Sequence, residues 1–100
     1  MMAIELNPRR KEIRTPRKVL VELCTFENFT FELAYTADVS SHGARVLTKN
    51  TWQANQHLTV RSVQGNQCSI ARVAYCQFAG GSAFAIGVEL HEPTADWMEP

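Results

Sequence analysis

From Lys18 onward, hydrophobic and polar side chains alternate with a period of two, and the alternating runs are separated by glycine, asparagine and serine. Val19, Val21 and Leu23 alternate with Leu20, Glu22 and Cys24. Phe29, Phe31, Leu33, Tyr35 and Ala37 alternate with Thr30, Glu32, Ala34, Thr36 and Asp38, the clearest run in the chain. Successive side chains of a strand point to opposite faces, so each run predicts a strand with one face buried. In the second run the aromatic set, Phe29, Phe31 and Tyr35, is read as the core face. A short strand is predicted over 44–48, and another near 58–62. A fifth covers 68–76, with Ser69, Ala71, Val73 and Tyr75 on one face. A sixth carries Phe84, Ile86, Val88 and Leu90. Glu27-Asn28, Gly65-Asn66 and Gly80-Gly81 suit hairpin turns, and Ser40 to Gly43 breaks the alternation and reads as a turn. Pro93 ends the last strand, and Thr94 is placed to cap a short C-terminal helix carrying Trp97.

Six short strands with no long helical period define an all-β fold, a small six-stranded antiparallel β-barrel. Closure matters because an open sheet of this size would expose strand edges. The 100 residues suit one domain with one modest core. Residues 18–100 are assigned to the barrel. Residues 1–17 hold two prolines and no sustained period, and are read as a flexible basic arm.

Charge sharpens that division. The formal net charge is zero, yet Arg9, Arg10, Lys11, Arg14, Arg17 and Lys18 stand against Glu12 alone, a local +5 that the rest of the chain balances. A basic arm points to an anionic partner. The N-terminus has no apolar signal segment, and no run of about 18 apolar residues occurs, so the reading is cytoplasmic with no membrane insertion. Cys24, Cys68 and Cys76 are odd in number and form no CxxC pair, which argues against a disulfide framework or a zinc knuckle. Cys24 and Cys76 read as small strand hydrophobes. His57 and His91 lack metal-ligand spacing, and Trp52 and Trp97 read as packing residues. No GxSxG, HExxH or P-loop pattern is present, so no enzyme, metal or cofactor is expected.

Two patterns carry chemistry. Arg10 and Arg14 form an RxxxR on the arm, followed by Arg17; Asp38, Ser40 and Gly43 form a DxSxxG at the end of the long strand. Guanidinium groups stay charged and present a planar fork of donors. That fork fits phosphate oxygens and the O6 and N7 acceptors of a guanine edge. A carboxylate such as Asp38 accepts paired donors such as guanine N1–H and N2–H. Gly43 would permit a positive φ or a close ligand approach. Taken alone, each pattern is equally a solvated basic run or an ordinary turn.

Their order and separation, in the text RRKEIRTPRKVLVEL, DVSSHGA, ARVAY and IGVELHEP, closely resemble the PilZ family from about Arg9 to Glu92. The resemblance implies a six-stranded barrel with Greek-key-like connections that binds the bacterial second messenger cyclic di-GMP. It places Arg10 and Arg14 on guanines and phosphates, and Asp38, Ser40 and Gly43 around a guanine. Tyr75, on the fifth strand, stands where some family members carry an aromatic near the ligand. Family members usually set the second arginine directly before the first strand, a place held here by Arg17, whose counterpart four residues back is Ile13. Either the arm carries a small insertion, or Arg14 and Arg17 act at altered spacing. Ligand would order the arm over the barrel and present a new surface to a downstream effector protein. The alternatives are a degenerate PilZ-like interaction module that binds no nucleotide and a barrel that binds single-stranded nucleic acid. DNA or RNA binding is not expected, because it calls for exposed aromatics on a sheet face.

Overall fold

The alternating runs form antiparallel strands in a computed structural model that describes residues 13–27, 30–65, 67–94 and 97. Seven strands occur among these residues: β1 (Thr15–Pro16), β2 (Leu20–Thr25), β3 (Phe31–Ser40), β4 (Gly43–Thr48), β5 (His57–Ser62), β6 (Cys68–Gly80) and β7 (Ala83–Leu90). Six of them close a ring in the order β2-β3-β4-β7-β6-β5 and back to β2. The ring is two three-stranded meanders, β2-β3-β4 and β5-β6-β7, joined by the crossing segment 49–56. Every ring strand therefore has a neighbour on both sides, which removes the edges an open sheet would leave.

β1 is the addition to the expected six. It lies within the segment assigned to the arm and pairs Thr15 with Val39 and Pro16 with Asp38. Two residues ending in proline give little alternation to detect. Between β1 and β2 the chain stays on β3 through the Arg17 N–H to Ala37 carbonyl and Thr36 N–H to Val19 carbonyl bonds, and the buried Thr36 side chain adds to them. Its hydroxyl donates to the Arg17 carbonyl (2.5 Å) and accepts from the Val19 N–H (2.9 Å).

Val21, Leu23, Val46, Leu58, Val60, Val73, Ile86 and Val88 point inward and form the core with Ala34, Ala44 and Ala71. Trp52 and Trp97 are both buried against it. Cys76 packs on this core, Cys24 is half-buried and Cys68 is exposed.

The face of β3 is the reverse of the expectation. Phe31, Leu33 and Tyr35 are 59%, 55% and 46% exposed, whereas Ala34 and Thr36 are buried. Phe29 lies outside the described residues. Alternation fixes which residues share a face, not which face is inside. Leu23, Leu58 and Ile86 of other strands already fill the lumen, so β3 turns its small residues, Ala34 and Thr36, inward and its bulky ones outward. β6 also departs from the expected pattern: Ala71 and Val73 are buried, but the register slips between Val73 and Tyr75, and Tyr75 faces out. No helix occurs among the described residues. The C-terminal helix expected after Pro93 falls on residues of which only Thr94 and Trp97 are described, and neither is helical.

The β3–β4 hairpin is held from the far end of the sequence. Its three successive carbonyls accept hydrogen bonds from one short stretch: His42 O from Leu90 N–H (2.7 Å), Ser41 O from Thr94 N–H (2.8 Å) and Ser40 O from the Trp97 indole Nε1–H (2.8 Å).

Candidate ligand-binding site

Two β-bulges set the orientation of the site. In β3 the register shifts between Thr36 and Asp38; in β6 it shifts between Val73 and Tyr75. Each extra residue reverses the alternation beyond it. Without the first bulge Asp38 would share the inward face of Ala34 and Thr36. Without the second, Tyr75 would share that of Ala71 and Val73. With both, the two side chains stand on the outer wall, on one cross-strand row that runs Pro16, Asp38, Arg45, Gly87, Tyr75.

Asp38, Arg45, Gly87 and Tyr75 of that row floor a cleft of about 230 Å³, walled by Arg14, the β3–β4 hairpin and Glu89. Arg14 directly precedes β1, whose pairing to Asp38 and Val39 brings the guanidinium alongside the Asp38 carboxylate. Nε and Nη2 both donate to Oδ1, at 3.1 and 2.5 Å. Glu89 is held by a charge-assisted hydrogen bond from Arg72, which also donates to Asn55 Oδ1.

Tyr75 lies flat over Gly87. A Cβ at position 87 would run into the tyrosine ring, so the glycine is what lets the ring settle on the sheet and present its other face to the cleft. Gly43 is required for a different reason from the one expected. Its φ is not positive; instead a Cβ there would collide with the Val88 carbonyl of the neighbouring strand. Ser40 is only 1% exposed, and its hydroxyl donates to the Gly43 carbonyl (3.4 Å) across the two-residue turn Ser41-His42.

The structure thus gathers Arg14, Asp38, Ser40, Gly43 and Tyr75 around one cleft. Arg17 lies elsewhere, lining a separate hollow with Lys18, Tyr35 and Trp97. Arg10 lies outside the described residues. Gly87, Arg45 and Glu89 were not singled out from the sequence. Gly87 had a signal, a glycine inside an otherwise apolar strand, which marks a close approach. His57 and His91 meet edge to face at 5.7 Å, and no metal-binding cluster of three or more His, Cys, Asp or Glu occurs among the described residues. No helix among them is long and apolar enough to cross a membrane.

A closed six-stranded barrel with an arginine-carboxylate pair and a glycine-closed hairpin on its outer wall defines a class of small antiparallel β-barrels. The chain belongs to the PilZ domain family, whose model matches residues 8–97, a family of cyclic di-GMP-binding receptor modules. Among solved structures it is similar to the Bacillus subtilis inhibitor of motility, MotI/DgrA, with a TM-score of 0.68 at 17% identity over 87% of this chain. That likeness is one of fold. The chain spans 44% of that protein's length. No curated protein matches the sequence significantly.

Proposed function

We propose that this domain is a receptor for cyclic di-GMP and that the outer-wall cleft holds one of its guanines. The observation that carries the reading is the placement of Arg14 and Asp38, 24 residues apart in sequence, side by side on a wall that also presents the Tyr75 ring. The carboxylate accepts from guanine N1–H and N2–H, the guanidinium donates to O6 and N7 or to phosphate, and the tyrosine offers a flat face. The bond from Arg14 to Asp38 supports Arg14 as an arginine of the arm that works at this site. Ser40 acts through the hairpin it closes. The cleft is smaller than the about 300–1,000 Å³ of sites that enclose a drug-sized ligand, so a dinucleotide fills it with one end and lies along the wall with the other.

Bound ligand draws residues of the arm over the barrel, and the new surface is read by an effector protein in the cytoplasm. Each charge-assisted hydrogen bond contributes about 1.5–3 kcal/mol, against about 1–2 kcal/mol per ordered backbone residue, so only a short part of the arm is ordered. A second reading is an interaction module without nucleotide, and the Arg14–Asp38 pair favours it in one respect: each group already satisfies the other. Calorimetric titration with cyclic di-GMP, with cyclic di-AMP as control, separates the two. Saturable heat with the first ligand, lost in Asp38→Ala, supports the receptor; no heat with either, together with a partner pulled down, selects the interaction module.

A further inference from the structure

We infer that the outer face of β3 is a docking surface for an acidic amphipathic helix of a partner protein, independently of whether nucleotide binds. Phe31, Leu33 and Tyr35 project from alternate positions of β3, and Leu47, paired with Tyr35 across the β3–β4 ladder, is 43% exposed beside them. Such a contiguous run differs from the scattered single hydrophobes of an ordinary surface. β3 is paired with β2 along Phe31–Tyr35 and with β4 along Tyr35–Ser40, and beyond β4 the Glu32 side chain holds Lys49, Asn50 and Trp52 against it, so an occupant of the outer face docks through side chains.

Spacing favours a helix. Alternate residues of a strand lie about 6.8 Å apart. On a helix, positions i and i+4 lie about 6 Å apart along the axis. Apolar residues at i, i+4 and i+8 therefore keep step with Phe31, Leu33 and Tyr35, the helix-on-groove mode of recognition.

Charge selects the sign of the partner. The carboxylates on this side are engaged within the domain. Asp38 takes Arg14, and Glu22, paired with Leu33 across the β2–β3 ladder, takes Arg61; Glu32, at an alternate position of β3, takes the Lys49 N–H, the Asn50 amide and the Trp52 indole. Against them stand Lys18, whose ammonium lies 4.7 Å from the Tyr35 ring centre, and Arg45 and Lys49, two residues to either side of Leu47. An apolar stripe between cations fits a helix with glutamates or aspartates flanking its apolar positions. A single-stranded nucleic acid fits less well: the two rings are four residues apart, with leucine between them, and Lys18 already covers Tyr35.

The test uses two designed helical peptides with leucine at i, i+4 and i+8. One carries glutamate at the flanking positions and the other carries lysine. Binding is read by backbone amide shifts of the whole domain. The acidic peptide is expected to shift residues 31–35 and 47, to bind Leu33→Ser at least about tenfold more weakly, and to lose its advantage over the lysine peptide in the Lys18→Glu/Lys49→Glu variant. Leu33, Lys18 and Lys49 are exposed or half-buried, and an unchanged melting temperature verifies the fold; the charge reversal stands as a second route if Leu33→Ser does not fold. Equal binding of the two peptides, or no binding of either, overturns the inference. So does the same stripe responding only to phosphatidylglycerol vesicles or to an oligothymidylate, or a concentration-dependent dimer in sedimentation that Leu33→Ser abolishes.

Discussion

Arg14 and Asp38, the two residues best suited to read a guanine, are bonded to each other through Oδ1, with the arginine side chain 51% exposed and the carboxylate 24%. A ligand must therefore exchange this ion pair for its own contacts. An exposed pair contributes only about 0–1 kcal/mol, so the exchange is shallow. Arg14→Ala and Asp38→Ala are each expected to lower cyclic di-GMP affinity by about 1–3 kcal/mol, about ten- to a hundredfold. Both should leave the unfolding free energy within about 1 kcal/mol of the parent. Calorimetry and urea unfolding of the same preparations check the two halves. Wild-type affinity in both variants would refute the site.

Gly87 and Tyr75 form a pair whose effects are coupled. Gly87→Ala should destabilise the domain by about 1–3 kcal/mol, because the new methyl overlaps the ring and forces it off the sheet. Tyr75→Ala removes the obstacle. In the double variant the added methyl should be tolerated, giving an interaction term well outside the about 0.3–0.5 kcal/mol expected of independent sites. A strictly additive cycle would mean that the ring does not rest on position 87.

Gly43 offers the contrast. There the obstacle is the Val88 backbone carbonyl, which no side-chain truncation relieves. Gly43→Ala should reduce both stability and ligand affinity, through displacement of the β4–β7 ladder beside the cleft. Amide shifts spreading along residues 86–89 would show it; shifts confined to the turn would not.

Trp97→Phe keeps an aromatic ring in the core but deletes the indole N–H and leaves the Ser40 carbonyl without that donor. Losing a buried hydrogen bond of this kind costs about 0.5–1.5 kcal/mol. For a domain of this size each kcal/mol lowers Tm by about 4–8 °C. Thermal unfolding measures it, and a Tm within a degree or so of the parent would remove Trp97 from this role.

Much of the barrel was legible because strands announce themselves by alternation. The turns at Gly80-Gly81 and before Gly43 were likewise written in residue types that suit turns, and Gly80 and Gly81 do take positive φ. What could not be read was which face points inward. Phe31, Leu33 and Tyr35 are the more hydrophobic set, and hydrophobicity alone sends them inside; the volume already filled by Leu23, Leu58 and Ile86 of other strands, a property of the closed sheet, sends them out. The bulges were invisible for a related reason. Ala37 and Ala74 are small residues that fit either a regular ladder or a bulge, so nothing local marks the switch that turns Asp38 and Tyr75 outward. The DxSxxG text located the hairpin, but the buried state of Ser40 and the need for glycine at 43 depend on Val88 and Trp97, distant in sequence. Arg17, adjacent to Lys18 in a stretch of like charge, could not be told from Arg14 until the β1 pairing separated their directions.

The run of bonds from Leu90, Thr94 and Trp97 to the carbonyls of His42, Ser41 and Ser40 gives the hairpin an external tether. Displacing Thr94 or Trp97 therefore moves Ser41 and Ser40 directly, and the turn and these two residues behave as the two arms of a lever.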